Sequence, residues 1–174
     1  MLIYHPAFDS YHAIFRSLAL LEELPIAPYE IERIRILDFY LVFPVALKHV
    51  IFPQKVVQYR RKLLRKTNRY EWVEDPQRIF GRLEPYQMAA FRFMAATELL
   101  DGDKFASGKI QRTRLILPER LAEDLLKFKT TNSDLIQLLA GAFRQISLYG
   151  PAGLKGRTHL FEHRYDAAPT IPVS

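Results

Sequence analysis

The sequence predicts a mainly α-helical domain with a winged-helix-like arrangement and a small β-hairpin, followed by C-terminal helices. Most segments between prolines and glycines carry apolar residues at helical spacing. Only the stretch KIQRTRLIL at 109–117 is rich in β-branched residues and roughly alternating, which is typical of a strand or one arm of a hairpin. The 174 residues, of which 49% are hydrophobic, suffice for one packed domain.

The central element is predicted between Pro28 and Pro44. Apolar residues recur there at helical spacing, and Pro28 suits the first turn of a helix because an N–H at that position has no helical partner. The second half of the stretch, from about Ile36 to Phe43, is apolar nearly all round, which predicts burial on several sides. We expect the other segments to dock against this helix.

The first half of the chain is completed by shorter predicted elements. Residues 1–8 are expected to form an extended arm, and Asp9 or Ser10 to cap a helix that runs to about Leu24. A basic helix is predicted over 54–66, and an irregular connection over 73–83. The predicted buried stripe of the first helix is Tyr11, Ile14, Phe15, Leu18, Leu21 and Leu24.

The second half opens with a helix that is predicted to begin at Glu84-Pro85 and to end at Asp101-Gly102. Pro118 begins an amphipathic helix, and TTNSD at 130–134 caps a further one. The segment GRTHLFEHRYD is interpreted as a strand pair or a docked segment. We assign 1–117 to the helical, winged-helix-like core and 118–174 to C-terminal helices and a tail packed on the same domain.

Several function classes lack their sequence signatures. The chain has no cysteine, which excludes disulfides, thiolate zinc sites and a cysteine nucleophile. It has no glycine-rich phosphate loop, no G-x-S-x-G elbow and no clustered acids, so we expect no enzyme, no cofactor and no metal. The start lacks the basic region of a signal peptide, and the apolar stretch near 36–50 is interrupted by charges and proline. We expect a cytoplasmic protein without a membrane span.

Basic residues are concentrated in one region. The formal net charge is +6, yet residues 48–92 alone contain 11 Lys and Arg against 4 Asp and Glu, which gives +7. This excess permits three interpretations: a solvated helix face, a surface that grips nucleic-acid phosphates, or a surface that meets an acidic protein. Tyr70 and Trp72 follow this run, and their rings are suited to stacking on a base or to anchoring a protein interface. The candidate binding residues are Arg60, Arg61, Lys62, Arg65, Lys66, Arg69 and Trp72.

One motif invites a metal interpretation. His159, Glu162 and His163 match the pattern H-x-x-E-H, which on a helix places two imidazoles on one face for zinc. The context is unfavourable, because Gly156, Arg157 and Thr158 precede the pattern and no acidic third ligand is evident downstream. We therefore interpret these histidines as surface or interface residues and hold an enzyme built on them as the least favoured hypothesis.

Three stretches together resemble a known family. The opening YHPAFDSYHAIFRSLALL, the central EIERIRILDFYLVFP and the segment RLEPYQMAAFRFMAATELLD are similar to the middle component of ABC three-component systems. These are bacterial defence operons that include Lamassu, and the resemblance covers residues 3–117. It implies a small non-enzymatic subunit encoded beside an SMC- or Rad50-like ABC ATPase and a separate effector, often a nuclease.

The leading hypothesis is accordingly a hetero-oligomeric scaffold that links the ATPase to the effector in anti-phage or anti-plasmid defence. Contact with DNA would occur mainly through the complex. The alternative is a winged-helix DNA-binding transcriptional regulator that uses the basic run and the strand Lys109–Arg114. The helix predicted over 85–100 contains Arg92 as its one basic residue, which favours burial or a protein partner over sequence reading.

Overall fold

The computed structural model describes residues 5–57, 61, 63–64 and 73–161. The predicted mainly α class with a small antiparallel β element is confirmed. Short 3-10 turns cover Pro6–Phe8, Pro44–His49 and Gln54–Val56, so the described end of the predicted N-terminal arm is a turn and not extended. The helices whose bounds lie within the described residues are α1 (Ser10–Leu21), α2 (Ile31–Val42), α3 (Pro76–Ala96), α4 (Gly102–Ala106), α5 (Glu119–Thr131), α6 (Ser133–Gln137) and α7 (Leu154–Thr158).

The predicted central helix is confirmed as α2, but its predicted start is wrong: Pro28 is not in the first turn, because Tyr29 and Glu30 form a strand and the helix begins at Ile31. Its side chains are buried on every side, and Ile34, Ile36, Leu37 and Phe39 are completely inaccessible to solvent. It contacts α1, α3 and the two short strands, and it also meets the π-helical segment Leu138–Phe143 that continues α6. A helix that is apolar nearly all round can be stable in water only in such a position.

Helix α1 begins where the sequence predicts. The Asp9 carboxylate accepts hydrogen bonds from the Tyr11 and His12 backbone N–H groups at 2.8 and 3.1 Å. The predicted stripe is wrong at Tyr11, which is 81% exposed, while Ala13 and Ser17 are buried. Because α1 packs against α2, α3 and α5, its buried face is wider than one stripe and includes small residues that permit close approach.

The predicted irregular connection over 73–83 is wrong, because α3 already begins at Pro76. Asp75 caps it through a 3.1 Å hydrogen bond from the Arg78 N–H, and Pro76 occupies the first turn, where a missing N–H costs nothing. Pro85 therefore lies inside the helix, on its exposed side. The predicted end at Asp101-Gly102 is also wrong: α3 ends at Ala96, and Asp101 caps the separate helix α4.

The sheet consists of β1 (Tyr29–Glu30) and β2 (Lys109–Ile110), paired antiparallel with Tyr29 opposite Ile110. The strand predicted over 109–117 is thus confirmed only in its first two residues. A single bridge between Leu100 and Arg112 extends the pairing toward the end of α3. The sheet ties the start of α2 to the segment that follows α4.

The C-terminal elements pack on the same core. Leu135, Leu138 and Leu139 are buried, on α6 and its π-helical continuation. Residues 156–161 belong to α7 and a docked end, which confirms the docked-segment interpretation and excludes the strand pair for this part. The Ile51 N–H donates to the Arg157 carbonyl at 3.1 Å, and Leu160 is buried. Across the described ranges, no helix combines the length and apolar character needed to cross a bilayer.

Candidate protein-binding surfaces

A buried polar network fixes α1, α2 and α3 relative to one another. The fully buried Asp38 carboxylate accepts hydrogen bonds from Arg16 Nε at 2.6 Å and from Arg16 Nη2 at 3.2 Å. It also accepts one from Gln87 Nε2 at 2.8 Å, and Arg35 Nε donates to Gln87 Oε1 at 3.0 Å. Because each buried polar group has a partner from another helix, the network specifies one mutual arrangement of the helices.

Arg35 extends this network toward the surface. Its Nη2 lies 3.0 Å from the Glu84 carboxylate, and its guanidinium stands 4.7 Å from the centre of the Phe80 ring and 5.8 Å from that of Phe161. Burial lowers the pKa of Arg35, against the opposing charges of Glu84 and Glu32. A guanidinium remains charged even so, which makes arginine suited to a buried ion pair.

Two further arginines donate to backbone carbonyls outside regular helical hydrogen bonding, at the end of the π-helical segment and in the segment after β2. Arg33 Nη1 donates to the carbonyls of Phe143, Arg144 and Ile146 at 3.3, 3.2 and 2.9 Å. Arg112 pairs with Glu22 at 2.8 Å and donates to the carbonyls of Leu99, Thr113 and Leu115. Sequence reasoning missed these roles, although arginines and an aspartate inside the apolar stretch EIERIRILDFYLVFP were the available signal.

The predicted basic run falls mostly outside the described residues. Arg61 is helical and exposed, as a binding face or a solvated face would require. The other candidates, Arg60, Lys62, Arg65, Lys66, Arg69 and Trp72, lie outside the described residues.

The H-x-x-E-H pattern is described only at its first residue. His159 is exposed and follows α7 with a positive φ of 53°, so it ends the helix instead of continuing it. Glu162 and His163 lie outside the described residues. No group of three His, Asp or Glu side chains that could hold a metal ion occurs among the residues that the structure describes.

The early start of α3 creates an arginine face that the sequence analysis did not anticipate. We define the arginine face as Arg78, Arg82 and Arg92, which are all exposed. Their helical spacing places them on the side of α3 opposite its buried residues Leu83, Gln87, Ala90 and Met94. The Arg82 guanidinium stands 4.8 Å from the centre of the Phe8 ring. No ion pair among the described residues involves these three arginines.

An open groove of about 760 Å³ lies between the N-terminal turn, α1, the end of α2 and α5. The rings of Phe15 and Phe128 meet edge to face there, with centroids 5.3 Å apart. Asp124 is the acidic residue of its lining. The groove is lined by His5, Pro6, Ala7, Tyr11, His12, Phe15, Arg16, Leu41, Val42, Asp124, Phe128 and Asn132.

Comparison with known proteins gives one match. A family model described as ABC-three component (ABC-3C) system Middle Component 5 matches residues 2–166. No curated protein and no solved structure matches. Since the family model spans nearly the whole chain, this protein belongs to the Middle Component 5 family of ABC-three component systems.

Proposed function

We propose that this protein is a non-enzymatic scaffold subunit that links an SMC- or Rad50-like ABC ATPase to an effector, in the nuclease class, within a bacterial anti-phage or anti-plasmid defence complex. The observation that carries the proposal is the family match over residues 2–166. A middle component works with the other components of its system, which supports a hetero-oligomer. That the partners are an SMC- or Rad50-like ATPase and an effector of the nuclease class is itself proposed.

The architecture is compatible with this role. Buried ion pairs and hydrogen bonds hold α1, α2 and α3 in one arrangement, so these helices form a preorganised platform. The platform leaves charged and apolar side chains at its surface, including the arginine face and the exposed Phe93 and Ile116. A preorganised subunit loses little conformational entropy when it joins partners.

The direct test is native mass spectrometry of the tagged chain purified with the genes encoded beside it. We expect a complex that contains a large ATPase and the effector, and that dissociates into subcomplexes retaining this chain. Recovery of the chain as a lone monomer or homodimer would contradict the proposal.

We further propose the basic run Arg60–Arg69 as one binding surface of the complex. The double change Arg61→Glu with Arg65→Glu should weaken assembly or DNA retention without unfolding the chain, because it reverses charge at residues expected to meet an acidic partner or phosphates. Arg120→Glu with Lys127→Glu is the matched control, since both residues are exposed on α5. Unchanged assembly and unchanged DNA retention would identify the run as a solvated surface.

The winged-helix regulator is the alternative hypothesis. Of its expected contact strand Lys109–Arg114, Arg112 is buried and already engaged with Glu22 and three carbonyls, so it does not face a phosphate. Arg114 is exposed. A homodimer that prefers one operator sequence in fluorescence anisotropy would favour this alternative.

A further inference from the structure

The arginine face carries positive charge along one side of a long helix. From Arg78 to Arg92 the rise is about 21 Å at 1.5 Å per residue. Of the carboxylates near this helix, Glu84 pairs with Arg35 on the flank, and Asp75 accepts the Arg78 backbone N–H at the start of the helix. Glu98 follows the end of α3. Among the described residues, no carboxylate forms an ion pair with Arg78, Arg82 or Arg92, so the face is a row of cations.

An apolar track runs between these arginines. At helical spacing along the same side, Pro85, Ala89, Phe93 and Ala96 follow one another. Phe93 is 50% exposed, and Pro85 and Ala96 are also exposed. Small side chains permit the axis of a second helix to approach that of α3 to about 8–10 Å. Arginines and exposed aromatic residues are also the types that contribute most to binding at protein interfaces.

We infer that the arginine face and its apolar track bind an acidic amphipathic helix supplied by another component of the system; this inference rests on the proposed function. The partner helix presents small or apolar side chains to the track and Asp or Glu at i and i+4 to Arg78 and Arg82. Each guanidinium offers paired N–H donors that match the geometry of a carboxylate.

A nucleic-acid backbone would match the charge but not the track. Phosphates and sugars offer no apolar surface against which Phe93, Ala89 and Ala96 could be buried, so that contact would leave the track in water. A helix with an apolar stripe and acidic flanks satisfies both features at once. The charge and the apolar track together therefore favour a protein partner.

The test compares two triple variants in the co-expressed complex. Arg78→Glu, Arg82→Glu and Arg92→Glu should weaken binding by on the order of 100-fold, because like charges then oppose each other across the interface. Lys104→Glu, Arg120→Glu and Lys127→Glu make the same change in net charge at exposed positions off the face, and should leave assembly unchanged. Circular dichroism melts of each purified variant verify that the fold is retained.

A photocrosslinking experiment identifies the occupant. Phe93→p-benzoylphenylalanine in the complex should crosslink to a peptide of a co-expressed component that carries Asp or Glu at helical i, i+4 spacing. A crosslinked peptide without that acidic pattern would overturn the inference. Loss of binding to a 20-base-pair duplex (about two helical turns) in the Arg-to-Glu variant, with assembly intact, would overturn it in favour of nucleic acid.

The two proposals fail separately. If the wild-type chain assembles and the Arg-to-Glu variant assembles equally well, only the inference about this face is wrong. If the wild-type chain does not assemble at all, the proposed function is wrong and the inference falls with it.

Discussion

At the scale of single residues, Asp38 is the group on which most of the buried polar network depends. Its carboxylate is completely buried and receives the Arg16 guanidinium and the Gln87 amide, which come from α1 and α3. The partners lie 22 and 49 residues away in the sequence. A pairing of that range has no local signature, so the sequence alone could not indicate it.

Removing this carboxylate should be costly. Asp38→Ala leaves the buried Arg16 charge without its partner and should lower the free energy of unfolding by about 3–5 kcal/mol. Urea unfolding followed by circular dichroism measures the change. Asp124→Ala is the control, because Asp124 meets Lys127 in an exposed pair at 3.7 Å and should change stability by less than about 0.5 kcal/mol. A loss at Asp38 no larger than at Asp124 would contradict the role assigned to the network.

Glu30 gives the protein a pH-dependent contribution to stability. Burial alone would raise the pKa of its carboxyl, but the hydrogen bond from Arg33, a backbone hydrogen bond and the charges of Arg33 and Lys109 together lower that pKa below its ordinary value of 4.5. A lowered pKa in the folded state means that the stabilisation is complete above the ordinary pKa. It is lost as the pH falls through the lowered value.

Glu30→Gln tests this linkage. At pH 7 the variant should be less stable than the wild type, and the difference should shrink as the pH falls below 4.5, because a protonated glutamate resembles glutamine. Urea midpoints measured from pH 7 downward give the comparison, with the exposed Glu123→Gln as the control. A difference that is independent of pH would show that the Glu30 charge contributes nothing.

At the scale of elements, the local sequence pattern predicts a helix correctly where a continuous apolar stretch requires burial. Helix α2 was predicted closely because its apolar character and flanking prolines leave no other arrangement in water. Helix α3 was predicted to begin too late because Asp-Pro is typical of both a turn and a helix start. Contacts with residues distant in the sequence decide between the two: Phe80 and Leu83 are buried, and the Phe80 ring meets the rings of Phe39 and Phe161.

Pro85 offers a test of the corrected α3. A proline inside a helix removes one backbone hydrogen bond and crowds the carbonyl four residues earlier, here that of Gly81. Pro85→Ala should therefore raise the free energy of unfolding by about 2 kcal/mol, after allowance for the greater freedom of the unfolded chain. Ala89→Pro, one turn later, should lower it by about 3 kcal/mol or more. If Pro85→Ala destabilises the chain, then α3 is not continuous through residue 85.

At the scale of the whole molecule, the C-terminal segment is held to the start of α2 by polar contacts. Arg33 reaches three carbonyls at the end of the π-helical segment, and Lys155 lies 3.9 Å from Glu32. Leu148, Leu154 and Leu160 of the C-terminal segment are buried in the same hydrophobic core as α2. We propose on this basis that residues 118–174 belong to the same cooperative unit as residues 1–117.

Calorimetry tests this unity. The chain should unfold in a single transition. Arg33→Met should lower its free energy of unfolding by about 2 kcal/mol and its Tm by roughly 4–8 °C, because the three carbonyls and Glu30 lose their donor. Arg120→Met, on the exposed side of α5, should leave Tm within about 1 °C. Two separate transitions, of which the variant shifts only one, would divide the chain into two units.

The small sheet has a consequence for the order in which the chain folds. Its strands at residues 29–30 and 109–110 can meet only after nearly half of the chain has been drawn into a closed loop. Closing a loop of about 80 residues costs about 2 kcal/mol more in chain entropy than closing one of 10 residues. Helices α1 and α2, adjacent in the sequence, face no such delay. We therefore expect this short ladder to be completed late, as the step that joins the two halves of the chain.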